Sequence, residues 1–444
     1  MDALRFLDKP TFYNPSMSSP LLSYDEAAAL IAAHAAALRA HTPAVERVPL
    51  LAAHERVLAQ PIVADRDQPP FARSTRDGFA CRPAEASRHK PLPIAGASRA
   101  GDPPGGPLPP NAAWEIMTGA PVPAGAGAVM MLEHVEAGEA AGKRTVRLLP
   151  PRTLEAGENV VAQGAQARAG QELLAAGALI GVGQIALAAS CGYAELEVFA
   201  RPRVAILATG DELVPVNAEP APGRIRNSNS PMLAALVAAA GGEPQVLPVA
   251  ADNAKALDKA IAHAAAADLV LITGGVSAGK FDLVEPALAL ARAAFHFTGV
   301  RIQPGKPTVF GEFQEPNQNE NRAKRNQDGT KCAKRCLGLP GNPVSSAVTF
   351  LLFAAPILRA LAGCREHGPR FALARLAGDV KAKPGLTRFL PASCSFAGQE
   401  PQVALVPWQG SGDLTALARC NCFLVVPESA DCIESGAIVR ILLS

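Results

Sequence analysis

Short apolar runs, several stopped by a glycine turn, alternate with helix-length stretches across residues 203–362. RVAILATG (203–210) reads as a strand entering such a turn. Ser230-Pro231 opens a helix that stops at Gly241-Gly242, with proline at the first helical position and glycine past the end. PQVLPVA is a second strand, and a helix follows from about Asn253. DLVLITGG (268–275) is a third strand with a Gly turn. A helix near 283–294, a strand near 295–302, strands around 308–311 and 336–339, and a helix over 343–362 complete the series. The strands are continuously apolar, as in a parallel sheet covered on both faces. The pattern predicts one doubly wound α/β domain over 201–365.

The flanking segments follow other rhythms. Residues 1–20 form a loose tail, and 24–40 (YDEAAALIAAHAAALRA) carry helical periodicity behind Ser23 as N-cap. Residues 61–143 are rich in Pro and Gly, with apolar runs such as Trp114–Met117 and Ala128–Leu132, and predict a small β-rich domain. Residues 1–60 and 144–200 read together as a mixed α/β linker domain with a helix near 181–190. RFALARLAG, FLPASCSF, QVALVPW, CFLVVP and AIVRILL mark 366–444 as a small C-terminal β-barrel or sandwich. Residues 313–335 hold few apolar side chains and many charges. They predict a flexible insertion between two strands, with a basic binding loop as the alternative. The fold class is therefore multidomain α/β plus β.

Composition narrows the function. A chain of 444 residues exceeds one ordinary core, so two to four domains are expected. Net charge is +2, from 42 basic against 40 acidic residues. That balance gives no whole-molecule drive toward nucleic acid or an anionic membrane, so any anion site is local. The N-terminus lacks a basic start followed by an apolar core, and no secretory signal is expected. Val344–Gly363 is the most membrane-like stretch, but it holds Ser345, Ser346, Thr349, Pro356 and Arg359 and reads as a buried helix. Nine scattered cysteines, an odd number, predict a reducing compartment and no disulfide framework. Neither Cys332 with Cys336 nor Cys420 with Cys422 has companions at zinc spacing.

Ligands of open α/β sheets sit at the carboxyl ends of the strands, and four turns fall there. They are ATGDEL (208–213), TGGVSAGKFD (273–282), IQPGKPTVFG (302–311) and LPGNPVSS (339–346). In the last, Asn342 is an N-cap candidate, Pro343 fits the first helical position, and Gly341 after Pro340 admits a ligand close to the backbone. Val344 and Ser345 then offer backbone N–H groups, and Ser345 a hydroxyl, at the positive end of a long helix. Taken alone, this is also what an ordinary strand-to-helix turn looks like. Gly274 and Gly275 again permit close approach, Ser277 can bond a phosphate, and Asp282 can hold a metal or a ligand hydroxyl. Lys306 is an ammonium in a stiff Pro-Gly-Lys-Pro turn, and Asp211 and Glu212 flank another glycine. Carboxylates beside phosphate-binding turns point to Mg²⁺, which prefers oxygen ligands. Together the four turns indicate a phosphorylated ligand. GxGxxG after a strand and GxxxxGK[ST] are both missing, which disfavours a usual dinucleotide fold and a P-loop nucleotidase.

TGGVSAGKFD, PGKP and LPGNPVSSA, in this order, resemble the molybdopterin molybdenumtransferases of molybdenum cofactor biosynthesis. PPFARSTRDGFACR (69–82), IMTGAPVP (116–123), GRIRNSNSPML (223–233), WQGSGDL and NCFLVVPE are similar to further motifs of that family. The resemblance implies a cytoplasmic homodimer of four-domain subunits, its central unit a molybdopterin-binding domain, in transient contact with other proteins of cofactor biosynthesis. It implies adenylylated molybdopterin and molybdate as substrates, Mg²⁺ as cofactor, and release of AMP. Carried over by motif, Asp77 and Thr118 are functional positions of the N-terminal half. Asp282, Lys306, Gly341, Asn342 and Ser345 belong to the cofactor and oxyanion site, with Asn227 in the segment opening the first α/β helix. Arg388 and Ser411 reach toward that site from the C-terminal segment. Lys306, Arg388, Ser345 and Ser411 would hold molybdate, and Asp211 and Asp282 would position Mg²⁺ and the adenylyl phosphate. By itself Asp77 is equally a turn former, and Arg388 equally a surface arginine. This chain departs from many members at Thr75, Arg76, Gln184, Asn227, Lys280 and Gln303. Gln303 stands where some relatives have a second lysine, which removes one positive charge from the oxyanion pocket. Two alternatives remain at this level. One is a molybdopterin adenylyltransferase, which carries Gly-Gly-Thr-Gly where this chain has Gly-Gly-Val-Ser; the other is a non-enzymatic molybdopterin-binding scaffold.

Overall fold

The computed structural model describes residues 21–38, 43–275, 284–290, 293–313 and 334–444. The N-terminal helix α1 (Tyr24–Leu38) starts in a reciprocal bracket: Glu26 N–H donates to Ser23 Oγ, and Ser23 N–H donates to the Glu26 carboxylate. Strands Val45–Pro49 and Glu195–Phe199 pair antiparallel, so the two ends of the first half close on each other. Between them lies a six-stranded sheet ordered Ala128–Met131, Gly78–Cys81, Ala113–Ile116, Leu92–Ser98, Lys143–Leu148, Val135–Ala140. The pairing thus extends past residue 143 to take in Lys143–Leu148.

The central sheet contains β1 (Arg203–Ala208), β2 (Glu243–Val246), β3 (Leu269–Thr273), β4 (Ala293–Phe297), β5 (Val309–Phe313) and β6 (Lys334–Leu339) in the order 2-1-3-6-5-4. Alternate residues face opposite sides, as the strand period requires. Val204, Ile206, Leu269, Leu271, Leu337 and Leu339 pack under α1, α2 (Asn229–Ala239) and α5 (Pro343–Leu361). Ala205, Leu207, Val270, Ile272 and Cys336 pack under α3 (Ala254–Ala264) and α4 (Val284–Leu290). Helices on both faces make the domain doubly wound. Unlike the all-parallel sheet expected, β5 runs antiparallel to both β6 and β4. An apolar run carries no record of its direction. Antiparallel neighbours also need no crossover helix, and none separates β4 from β5.

The expected strand near 295–302 is divided. Its first part is β4, whereas Ile302–Gln303 pairs in parallel with Thr387–Arg388 of the C-terminal segment. That segment closes five strands into a barrel through the pairing of Thr387–Ser395 with Cys422–Val426. Helix α5 is apolar and long enough to span a membrane, but 89% of its apolar window is buried within the protein. Residues Phe350–Ala354 widen into a π turn just before Pro356. Proline has no N–H to give the carbonyl four residues earlier, and a wider turn absorbs the mismatch.

Candidate functional site

The parallel strands end in an open cleft of about 960 Å³ between the central sheet and the barrel. The β3 corner forms its floor. Gly274 has φ +95°, and a Cβ there would lie 2.4 Å from the Thr209 carbonyl oxygen. Only glycine fits at that approach. Gly275 continues with φ +61°. Next to it, Asn229 Nδ2 donates to Thr273 Oγ1 at 3.0 Å and to the Gly341 carbonyl at 2.6 Å. One side chain thus ties the start of α2 to two glycine corners.

The turn before α5 differs from its expected form. Asn342 occupies the N-cap position with extended backbone, but its side chain makes no capping bond. Its Nδ2 donates instead to Ser411 Oγ at 2.8 Å, and Val344 N–H, expected free, donates to the Ser411 carbonyl at 3.0 Å. The barrel loop therefore occupies the helix start. Ser411 Oγ accepts the Asn342 bond through a lone pair, and a hydroxyl that accepts can also donate. Ser345 is buried and lines the cleft beside Pro340 and Gly341. Trp408 and Gly410 complete the barrel wall.

Lys306 is exposed within the cleft. Its turn is fixed from below: Thr308 Oγ1 donates to the Gly305 carbonyl at 2.6 Å, and a Cβ on Gly305 would meet Thr349 at 2.5 Å. Among the described residues no carboxylate lies within 4.0 Å of its ammonium. Arg388 approaches from the barrel. Its Nε donates to Gln303 Oε1 at 3.0 Å and its guanidinium also donates to the Leu386 carbonyl at 3.2 Å. Gln303 and Leu386 line the cleft, with Arg388 directly behind them.

Carboxylates gather at the opposite wall. Glu212 and Asp252 line the cleft, whereas Asp211 stands behind Asp252. Asp211 accepts from Asp252 N–H at 3.2 Å, and Asp252 accepts from Asp211 N–H at 3.2 Å and from Thr209 Oγ1 at 2.8 Å. Asp252 escaped sequence reasoning, although its place just past the β2 run was a usable signal. Asn227 points elsewhere: its amide brackets Ser230, with Nδ2 donating to Ser230 Oγ at 2.9 Å and Oδ1 accepting from Ser230 N–H at 3.1 Å. Ser277 and Asp282, with Lys280, lie outside the described residues. Asp77 and Thr118 meet each other in the N-terminal sheet, away from this cleft lining. Thr118 N–H and Oγ1 donate to Asp77 Oδ1 at 2.6 and 2.8 Å, and these bonds, the backbone one first, hold the carboxyl below its ordinary range.

Comparison with known proteins matches residues 22–192 to the MoeA N-terminal region (domain I and II). Residues 205–360 match a probable molybdopterin binding domain, and 373–444 match the MoeA C-terminal region (domain IV). A molybdopterin molybdenumtransferase from a Nostoc species is 33% identical over 89% of this chain and 88% of its own. One from Bacillus subtilis is 34% identical over 87% of each. Two crystal structures of the molybdopterin biosynthesis MoeA protein of Pyrococcus horikoshii cover 96% of this chain and 99–100% of theirs. Their TM-scores are 0.70 and 0.73, at 28% and 27% identity. Fold and cleft thus define an enzyme of molybdenum cofactor biosynthesis built around a molybdopterin-binding domain. The chain belongs to the molybdopterin molybdenumtransferase family.

Proposed function

We propose that this protein takes adenylylated molybdopterin and molybdate, releases AMP, and leaves molybdenum on the dithiolene. The observation that carries this reading is Lys306, an ammonium on a braced turn, facing the cleft between glycine corners and the Ser411 loop. Molybdate is a tetrahedral oxyanion and takes charge-assisted bonds from Lys306 with neutral ones from Ser345 and Ser411. Arg388 adds positive charge from behind Gln303. The glycine corners at 274–275 and 340–341 leave room for the pterin and its phosphates against backbone.

Mg²⁺ suits the far wall. Glu212 and Asp252 offer hard oxygen donors there, the type this cation takes, and Asp211 orients Asp252. Asp282, outside the described residues, is the further candidate that the sequence offers. When bound, the cation would neutralise charge on the adenylyl phosphates. Asp77 and Thr118 join the reaction when a second subunit brings its N-terminal sheet to this cleft, which makes the homodimer the working unit. The odd total of nine cysteines, and the free, mostly buried state of the eight among the described residues, support a cytoplasmic setting.

The test incubates purified protein with adenylylated molybdopterin, molybdate and Mg²⁺, and follows AMP release and cofactor formation. Turnover that saturates with molybdate, and a molybdate response that shifts strongly in Lys306→Ala, are expected. An unchanged molybdate response in that variant overturns the assignment. Mixing inactive Asp77→Ala and Lys306→Ala chains recovers activity only where the two residues act across subunits.

A further inference from the structure

His34 on α1, His296 on β4 and Glu312 on β5 converge at the end of the central sheet opposite the cleft. One donor atom from each lies within 4.8 Å of the others. His34 Nδ1 is 3.3 Å from Glu312 Oε1, and His296 Nε2 is 3.7 Å from Glu312 Oε2. The second separation is too long for a hydrogen bond. His296 Nε2 is buried and, among the described residues, has no partner within hydrogen-bond distance. The three side chains are 11%, 17% and 20% exposed, sheltered yet reachable.

We propose that this cluster binds one divalent transition-metal ion of the zinc class. Two imidazole nitrogens and a carboxylate oxygen are the donor set that suits Zn²⁺, Co²⁺ or Ni²⁺ and not Mg²⁺. Donor atoms about 2.0–2.1 Å from a tetrahedral ion stand roughly 3.3 Å apart, so donors that lie within 4.8 Å of one another close by at most about 1.5 Å to take it. The ion supplies the partner that His296 Nε2 lacks. Arg335 Nε lies 3.1 Å from Glu312 Oε1 and takes the place of an outer partner that orients a ligating carboxylate. Oε2, on the His296 side, is the oxygen left for the metal. The packing of His34 against His296, with ring centroids 4.2 Å apart, and of both against Phe310 restricts the imidazoles to this arrangement. Because the ligands come from α1 and from two strands, the bound ion clasps the N-terminal helix to the sheet edge.

The test uses the full-length protein, stripped with a chelator and titrated with Co²⁺. One ion per chain is expected, with the visible d–d absorption of four- or five-coordinate cobalt, displaced by Zn²⁺. His296→Gln weakens binding by more than roughly tenfold, since even outer partners act on that scale. Cys432→Ser, which removes an exposed competing thiol, leaves binding intact. His34→Gln, followed by thermal melting, keeps its metal-free melting temperature close to wild type but loses the rise on adding Zn²⁺. Absence of the cobalt band, its persistence in His296→Gln, or its loss in Cys432→Ser overturns the proposal.

Discussion

The two ends of the central sheet solve opposite problems. At the carboxyl end, backbone corners at Gly274 and Gly341 meet a barrel loop, and the space between them stays open. At the amino end, Glu312 and Arg335 sit opposite one another in the β5–β6 register, and His34 and His296 close over the carboxylate. The first end is made from glycine corners, an exposed lysine and the carboxylates of Glu212 and Asp252, set around open space. The second is a close-packed cluster of one carboxylate, one guanidinium and two imidazoles, largely sheltered from water. On the function proposed above, one sheet separates activity from stability along its strands. A substitution at one end should move turnover without melting, and at the other melting without turnover.

The amino end should show the largest effect. Glu312→Leu removes a half-buried carboxylate from beside Arg335, His34 and His296, and a loss of about 3 kcal/mol is expected, the low end for breaking a sheltered ion pair. In chelator-treated protein this appears in the denaturation midpoint, while turnover of the folded fraction stays near wild type. The same variant tests acid sensitivity. Burial opposes the charge on Glu312, but His296, His34 and Arg335 outweigh it and hold the carboxyl well below its usual range. In the unfolded chain this carboxyl titrates at about 4.3. Below that value the unfolded state binds the extra proton, so the contribution is complete above about pH 5 and is lost as pH falls. Glu312→Leu flattens the acid limb of the stability curve. An equally steep limb in the variant would remove the cluster from the account.

At the carboxyl end, Lys306→Ala should lower turnover at limiting molybdate by about 10²–10³-fold, the scale for losing one donor to a developing or bound oxyanion. Its melting should match wild type, because nothing among the described residues leans on the ammonium. Gly274→Ala blurs the separation. Its Cβ collides with the Thr209 carbonyl at positive φ, and strain of about 1–3 kcal/mol is expected. Both stability and activity should fall, since the corner is at once scaffold and binding surface.

The carboxyl end was legible in sequence and the amino end was not, for one reason. Glycine, proline and lysine in a short turn state their purpose locally, because backbone freedom and charge are properties of those residues themselves. His34, His296 and Glu312 acquire theirs only when three separate elements meet, and no spacing along the chain records that meeting. Asp252 had a local signal in its place just past the β2 run, but its bonds to Thr209 and Asp211 across the turn are visible only in the fold. Asn342 takes the N-cap position without the capping bond expected of it, because an asparagine before a helix can cap, bracket or bridge with equal ease. Asn342 bridges because the Ser411 loop, distant in sequence, is there to accept its amide. The antiparallel β5 and the transfer of Ile302–Gln303 to the barrel are likewise decisions of tertiary pairing, which apolar runs do not encode.

The smallest effect probes how far the barrel takes part in the carboxyl end. Ser411→Ala removes the hydroxyl that accepts from Asn342 Nδ2 but keeps the carbonyl that accepts from Val344 N–H. The loop should therefore stay docked. Losing one neutral hydrogen bond costs about 1 kcal/mol, or several-fold in an equilibrium constant. If Ser411 donates to the oxyanion, that loss appears as a several-fold higher molybdate requirement with saturated turnover nearly unchanged. If Ser411 only seats Asn342, melting falls by a similar amount and the molybdate requirement stays put. Asn342→Ala separates the two further, because it frees the Ser411 hydroxyl from its partner without removing it. A molybdate response that changes in Ser411→Ala and not in Asn342→Ala makes the barrel a contributor of ligands to the cleft. The reverse pattern confines the oxyanion to the central domain and leaves the barrel as its cover.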